Sequence, residues 1–200
     1  MARGDHDTPE RILGAARRLL RRGGPAALTF DAVAREIGMT KQAVLYWFPG
    51  KAQLVAALVL PALEAEANAV REAVRGATGP AEAAEAAIRA IAAFHLADLD
   101  RFRMMYLAPQ LAASRGLSVK DSRIEQRIHA TTAPLYDALG AALAGSPPQD
   151  IHRQRAMALH AAVLGVVTMV ALGEAVDDPL KHSPEALVHA LVSQFARPPT

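Results

Sequence analysis

The 200-residue sequence contains no cysteine. That absence excludes a disulfide framework, a zinc–thiolate centre, an iron–sulfur cluster and a cysteine nucleophile. Aromatic residues are scarce at 4%, too few for the cross-strand packing a β-sheet protein uses. Alanine, the strongest helix former, accounts for 44 residues instead. Also missing are an HExxH pair, a glycine-rich phosphate loop and a GxSxG elbow, so nothing points to an enzyme. Apolar residues make up 52% of the chain, which excludes disorder. Met1 to Pro9 is polar and lacks the apolar stretch of a secretory signal. These absences lead to an all-α protein expected in the cytoplasm.

The histidines do not suggest a metal site. His152 and His160 lie eight apart and His182 and His189 seven apart, loose fits to one helix face with no third ligand close in sequence. They read as surface or core histidines, with no metal and no cofactor expected. One segment, Ala156 to Gly173, runs 18 residues without a formal charge, the lower limit for a membrane span. It holds His160, Thr168, Gly165 and Gly173, and no second span accompanies it. A helix buried in a bundle or dimer interface fits it better than a membrane.

Charge is unevenly spread. Residues 1–51 carry nine Lys/Arg against five Asp/Glu, while 52–200 carry thirteen against fifteen, so a head of +4 precedes a body of −2. Such an imbalance suits a polyanion-binding head on a body with another task. Thr8-Pro9-Glu10 reads as a helix start, with a hydroxyl cap, proline in the first turn and an acid behind it. Ile12, Leu13, Ala16, Leu19 and Leu20 follow on one face, and Gly23-Gly24-Pro25 stops the helix. Arg17, Arg18, Arg21 and Arg22 crowd its last turns, either as a solvated end matched to the helix dipole or as a surface for a polyanion.

A second, short helix starts at Thr29 with Phe30, Val33, Ala34 and Ile37 on its apolar face, and Gly38 ends it. Thr40 caps a third, Lys41 to Phe48, closed by Pro49. Two short helices joined by a glycine-containing turn form a helix-turn-helix. On the third helix Val44 and Phe48 are one turn apart and face inward. Gln42 and Tyr46 therefore face out, flanked by Ala43 and Leu45 and close to Thr40 and Lys41. That face suits a major groove: Gln can pair bidentately with adenine, Ala and Leu can meet a thymine methyl, and Thr, Lys and Tyr can hold phosphates.

The stretch from Leu28 to Lys51, LTFDAVAREIGMTKQAVLYWFPGK, closely resembles the DNA-binding region of the tetracycline-repressor (TetR) family. The likeness extends over about residues 8 to 55. It includes Thr29, the turn at Gly38, the aromatic run Tyr46-Trp47-Phe48 and Lys51 at the start of the fourth helix. The resemblance implies that Thr29 and Lys51 hold the phosphate backbone while Lys41, Gln42 and Tyr46 approach the groove, with Thr40, Ala43, Leu45 and Trp47 completing the face. Most members carry a phosphate-contacting tyrosine where this chain has Leu45. Anchoring at that point either shifts to Tyr46 or is lost.

The remainder reads as helices over Lys51–Arg75, Ala81–Asp98, Leu99–Ala113, Ser118–Leu143, Asp150–Val176 and Pro184–Phe195, about nine in all. Pro61 either kinks the first of these or starts a new turn; Pro109 breaks the third and Pro134 bends the fourth. The resemblance divides the chain into a DNA-binding domain, 1–51, and an effector-binding and dimerisation domain, 52–200. Leu159, Val163, Val166, Val167 and Val170 form one apolar stripe, and Leu187, Val188, Leu191 and Phe195 another; in TetR-like proteins such helices pair with a partner's into a four-helix bundle. Phe94, His95, Phe102, Met104, Met105, Tyr106, His129, Tyr136, His160 and Met169 are the large or polarisable side chains of an alanine-built body. They suit either core or an adaptable ligand cavity. The resemblance implies a homodimeric repressor of a near-palindromic, double-stranded operator, released by a largely apolar small molecule. An activator, or control by a protein partner, is the alternative.

Overall fold

The computed structural model describes residues 7–107, 122–144, 150–177 and 180–196. Among these residues there are nine α-helices and no strand: α1 (Thr8–Ala27), α2 (Phe30–Ile37), α3 (Lys41–Trp47), α4 (Lys51–Arg75), α5 (Pro80–Leu96), α6 (Leu99–Phe102), α7 (Ser122–Ala144), α8 (Asp150–Ala175) and α9 (Pro184–Phe195). A π-helical turn, Arg103–Leu107, follows α6. Pro109 and the predicted helical residues around it fall outside the described residues, as does Ser118. The chain divides into two compact units, one of residues up to Ala62 with Arg103–Ile128, the other of Leu63–Phe102 with the residues from His129 onward.

In the first unit, helix ends follow local chemistry. Asp7, not Thr8, is the residue before α1, and Pro9 occupies the first turn. The glycine pair stops the regular part of α1: Gly24 has φ 62°, a conformation costly for any side chain, and Gly23 is also non-helical. The Thr29 hydroxyl oxygen accepts the Ala32 N–H at 3.1 Å and so caps α2. Gly38, at φ 68°, turns the chain out of α2 while the Met39 N–H donates to the Ala34 carbonyl at 2.9 Å. Thr40 caps α3 through the Ala43 N–H at 3.2 Å. The enclosed core is purely apolar, made by Ile12, Ala15, Ala16, Leu28, Val33, Ala34, Val44, Phe48, Leu54 and Leu58. Ala56, Leu60 and Ile124 form a smaller cluster in the same unit.

The second unit packs around alanine. Ala67, Val70 and Val74 of α4 share a core with Ala83, Ala84, Ala87, Ile88 and Ile91 of α5, and Leu135, Leu139 and Leu143 of α7 join them. Leu159 and Val163 of α8 and Val188 and Val192 of α9 complete it. Small residues bring helices close: a Cβ on Gly140 of α7 would lie 3.3 Å from the backbone of His152 on α8. Pro61 and Pro134 sit inside α4 and α7, which continue through them. α4 as well as α8 is long and apolar enough to cross a membrane, so the charge-free stretch of α8, contrary to expectation, does have a second such helix in the chain. In α8, however, Ala156, Leu159, Val163, Val167 and Ala171 are buried within the protein.

Candidate nucleic-acid interface

The third helix presents a compact polar face. Thr40, Lys41, Gln42 and Tyr46 are exposed, Tyr46 at 79%, whereas Val44 and Phe48 are buried on the opposite side. The Tyr46 ring is thus open to solvent at the centre of this face. Ala43 and Leu45 are half-buried at the edges of the face. Trp47 has a different role from its neighbours. It packs against the core of the unit and meets the Tyr46 ring edge-on at 5.5 Å, so it supports Tyr46 rather than facing outward itself.

The threonines and lysines are partly engaged. Thr29 and Thr40 accept backbone N–H groups through their hydroxyl oxygens, which leaves each O–H able to donate to a phosphate oxygen. Lys41 Nζ donates to Asp31 Oδ2 at 2.9 Å, and that bond holds the Asp31 carboxyl below the usual carboxylate range. Both groups are exposed, and such a pair is worth too little to keep Lys41 from a phosphate. Lys51 begins α4 and is half-buried.

The arginine cluster at the end of α1 splits in two. Arg18 Nε donates to Glu36 Oε1 at 3.0 Å and Arg22 donates to Glu36 Oε2. These bonds tie α1 to α2 and hold the Glu36 carboxyl below its ordinary range, the Arg18 bond first. Arg11 adds a bond to the Ile37 carbonyl at 3.2 Å. Arg17 and Arg21 are exposed. The clamping role of Glu36 was not legible along the chain, because its partners lie 18 and 14 residues away on another helix.

In the second unit the expected ligand residues are dispersed, and a smaller group is assembled. Glu66, which periodicity did not single out, is buried between two histidines: its Oε1 accepts from His95 Nε2 and from His160 Nε2, both at 2.8 Å. The Tyr136 hydroxyl lies 2.9 Å from His160 Nδ1. Burial works to raise the Glu66 carboxyl, but the bonds from His160 and His95 outweigh it and bring it to about 2. Burial, with the Glu66 charge behind it, raises the Tyr136 phenol and keeps its proton in place. The rings of Phe94 and Phe102 meet His95 edge-on at 5.1 and 5.4 Å, and the Arg101 guanidinium covers the Phe94 ring at 3.9 Å.

Several expected placements need correction. Met169 is 52% exposed and His129 is also on the surface, so neither lines an interior cavity. Met105 and Tyr106 belong to the first unit. His160 is a core histidine, bonded to Glu66 and Tyr136 on other helices and not to His152. Leu159, Val163 and Val167 have no exposed surface, so these three side chains have nothing to offer a second chain. Val166, Val170 and Leu187 are half-buried, and Leu191 and Phe195 pack against the core of their own unit. The open face of α8 is another one, made by Met157, Ala158, Ala161, Gly165, Met169 and Leu172.

Residues 12–58 match the family model described as bacterial regulatory proteins, tetR family, and residues 84–195 match the tetracyclin repressor-like C-terminal domain. No curated protein matches the sequence significantly. Among solved structures the fold is similar to that of a transcriptional regulator from Rhodococcus sp. Rha1, with TM-score 0.69 and 23% identity over 94% of each chain. It is also similar to a multidrug binding protein, EbrR, complexed with imidazole, with TM-score 0.63 and 23% identity over 96% of this chain and 97% of the other. A third is the fatty acid degradation regulator FadR from Bacillus halodurans, with TM-score 0.67 and 15% identity over 94% of each.

Proposed function

The chain belongs to the tetR family of bacterial regulatory proteins, DNA-binding regulators and not enzymes, and from that premise we propose that it is a homodimeric repressor whose operator affinity is controlled by a small molecule. The observation that carries this reading is the α3 face, where Gln42 and Tyr46 project beside the capped, exposed Thr40. Gln42 reads a base edge, Tyr46 and Lys41 hold flanking phosphates, and Thr29, Thr40 and Lys51 add backbone contacts. Leu45 stands at the edge of that face, and Tyr46 takes over the anchoring role of a tyrosine at that position.

A head of three short helices makes few base contacts, and a two-fold dimer doubles them by engaging two half-sites of a near-palindrome. The exposed, small-residue face of α8 supports that assembly, since Ala158, Ala161 and Gly165 let a second helix approach closely. An effector that binds one arrangement of the dimer better than another shifts the population away from the DNA-competent one. That the fold is shared with a multidrug binding protein supports a small-molecule signal. The operator places the protein in the cytoplasm.

Selection of binding sites from random duplex tests this reading. The expected outcome is a consensus with two inverted half-sites, bound by a species of twice the chain mass. A consensus without symmetry, or a monomer on the DNA, would contradict the dimer. Enrichment of no sequence would contradict base reading by α3.

A further inference from the structure

Inside the second unit, three helices distant in the chain bring one carboxylate and two imidazoles to a point. Glu66 comes from α4, His95 from α5 and His160 from α8, separated from Glu66 by 29 and 94 residues. Each side chain is at most 5% exposed, in a unit whose other buried side chains, among the described residues, are apolar. Packing alone does not call for such a trio there. A buried carboxylate is costly unless charge and hydrogen bonds compensate it.

The donor set is selective. Two imidazole nitrogens and one carboxylate oxygen suit zinc, cobalt or nickel, whereas magnesium and calcium take sets made of oxygen. The ligating atoms lie within 4.8 Å of one another. In a tetrahedral site with bonds of about 2.05 Å, ligand atoms stand about 3.3 Å apart. To reach that spacing the nitrogens, now at 2.8 Å from Glu66 Oε1 and within 4.8 Å of each other, move back from the carboxylate by about 0.5 Å and settle about 3.3 Å apart, a matter of side-chain rotation. A dication supplies the positive charge that a buried carboxylate needs.

The surroundings are those of a ligand held in place. Tyr136 hydrogen-bonds His160 Nδ1 and turns Nε2 toward Glu66, the outer partner that a metal-bound histidine needs. Phe94 and Phe102 fix the His95 ring from its edges. We propose that Glu66, His95 and His160 form a site for one divalent transition-metal ion of the zinc, cobalt or nickel class in each chain. Three protein ligands leave a fourth position for water or for an oxygen or nitrogen donor of a small molecule. The proposal stands or falls independently of the DNA reading.

The test uses full-length protein without an affinity tag, stripped with a chelator and titrated with cobalt(II). The expected result is the visible absorption of a low-coordinate cobalt complex, saturating at one equivalent, displaced by zinc and accompanied by a rise in melting temperature. Glu66→Gln abolishes the band, and His189→Gln, on the surface, keeps it. Should Glu66→Gln fail to fold, Tyr136→Phe serves in its place, with cobalt affinity reduced about 10- to 100-fold. Folded wild-type protein without a band or melting shift overturns the site and leaves a hydrogen-bonded carboxylate–imidazole cluster only. A band that survives both Glu66→Gln and Tyr136→Phe assigns the cobalt to surface histidines and overturns it equally.

Discussion

The two units spend their polar groups in opposite ways. Among its described residues the first buries no ionisable side chain and places its charges outside, in the Arg18–Glu36–Arg22 clamp and the Lys41–Asp31 pair. The second has an exterior of ordinary solvated charges and hides a carboxylate, two imidazoles and a phenol within an alanine-rich core. In the reading head, function faces the solvent, where a long polyanion arrives. In the body, the titratable groups are enclosed, out of reach of anything large.

The largest expected effect breaks the comparison at its base. Val44→Asp puts an unpaired charge into the apolar core of the head and destabilises it by roughly 4 kcal/mol or more. DNA binding disappears, while cobalt or zinc binding in the second unit persists, as binding and circular dichroism together report. Loss of both at once would mean that the units fold as one.

Next in size is assembly. A Cβ on Gly165 meets nothing within 4 Å in the single chain, so Gly165→Leu leaves the fold intact and gains helix propensity. In sedimentation it weakens the proposed dimer at least tenfold, about 1.4 kcal/mol. Val163→Asp behaves differently and unfolds the second unit, because Val163 is fully buried in its core. An unchanged dimer in Gly165→Leu moves the interface off this face of α8.

Comparable in size are the contacts of α3. Gln42→Ala costs roughly 1–3 kcal/mol on a specific site and far less on random duplex, whereas Tyr46→Ala removes a phosphate contact and weakens both alike. An equal loss on both duplexes in Gln42→Ala would make Gln42 a backbone contact only. The smallest effect belongs to the exposed clamp. Glu36 has a lowered pKa in the fold, so its contribution is present above the ordinary carboxylate range of about 4 and fades as pH falls through the lowered value. Glu36→Gln should lower the melting temperature slightly at neutral pH and lose that difference in acid; a difference that grows in acid would reverse the sign.

The same contrast explains what was legible along the chain. The head is encoded locally: the 3.6-residue period of Ile12, Val33 and Val44, the caps Thr29 and Thr40 and the glycine turn at 38 each act within a few residues. The body's decisive contacts span α4, α5, α7 and α8, and no local pattern pairs Glu66 with His160. Its trace was the interruption of an apolar face, since Glu66 stands one and two turns before Val70 and Val74 of the core. The stripe through Leu159 and Val163 shows a second limit. Strong apolar periodicity marks burial but not whose atoms do the burying; here the chain's own core claims those residues, and the open face is the weaker one built on Ala158, Ala161 and Gly165.

The most direct test of base reading by α3 uses Trp47, the one tryptophan of the chain, which touches Tyr46 on α3. Purified protein is titrated at fixed salt with duplex from upstream of its own gene and with a scrambled duplex of equal length, while Trp47 emission is followed. The expected result is a saturable change at one dimer per specific duplex, absent with the scrambled one and lost in Tyr46→Ala. An identical response to both duplexes would reduce the head to a basic surface meeting a polyanion and would contradict sequence reading by α3.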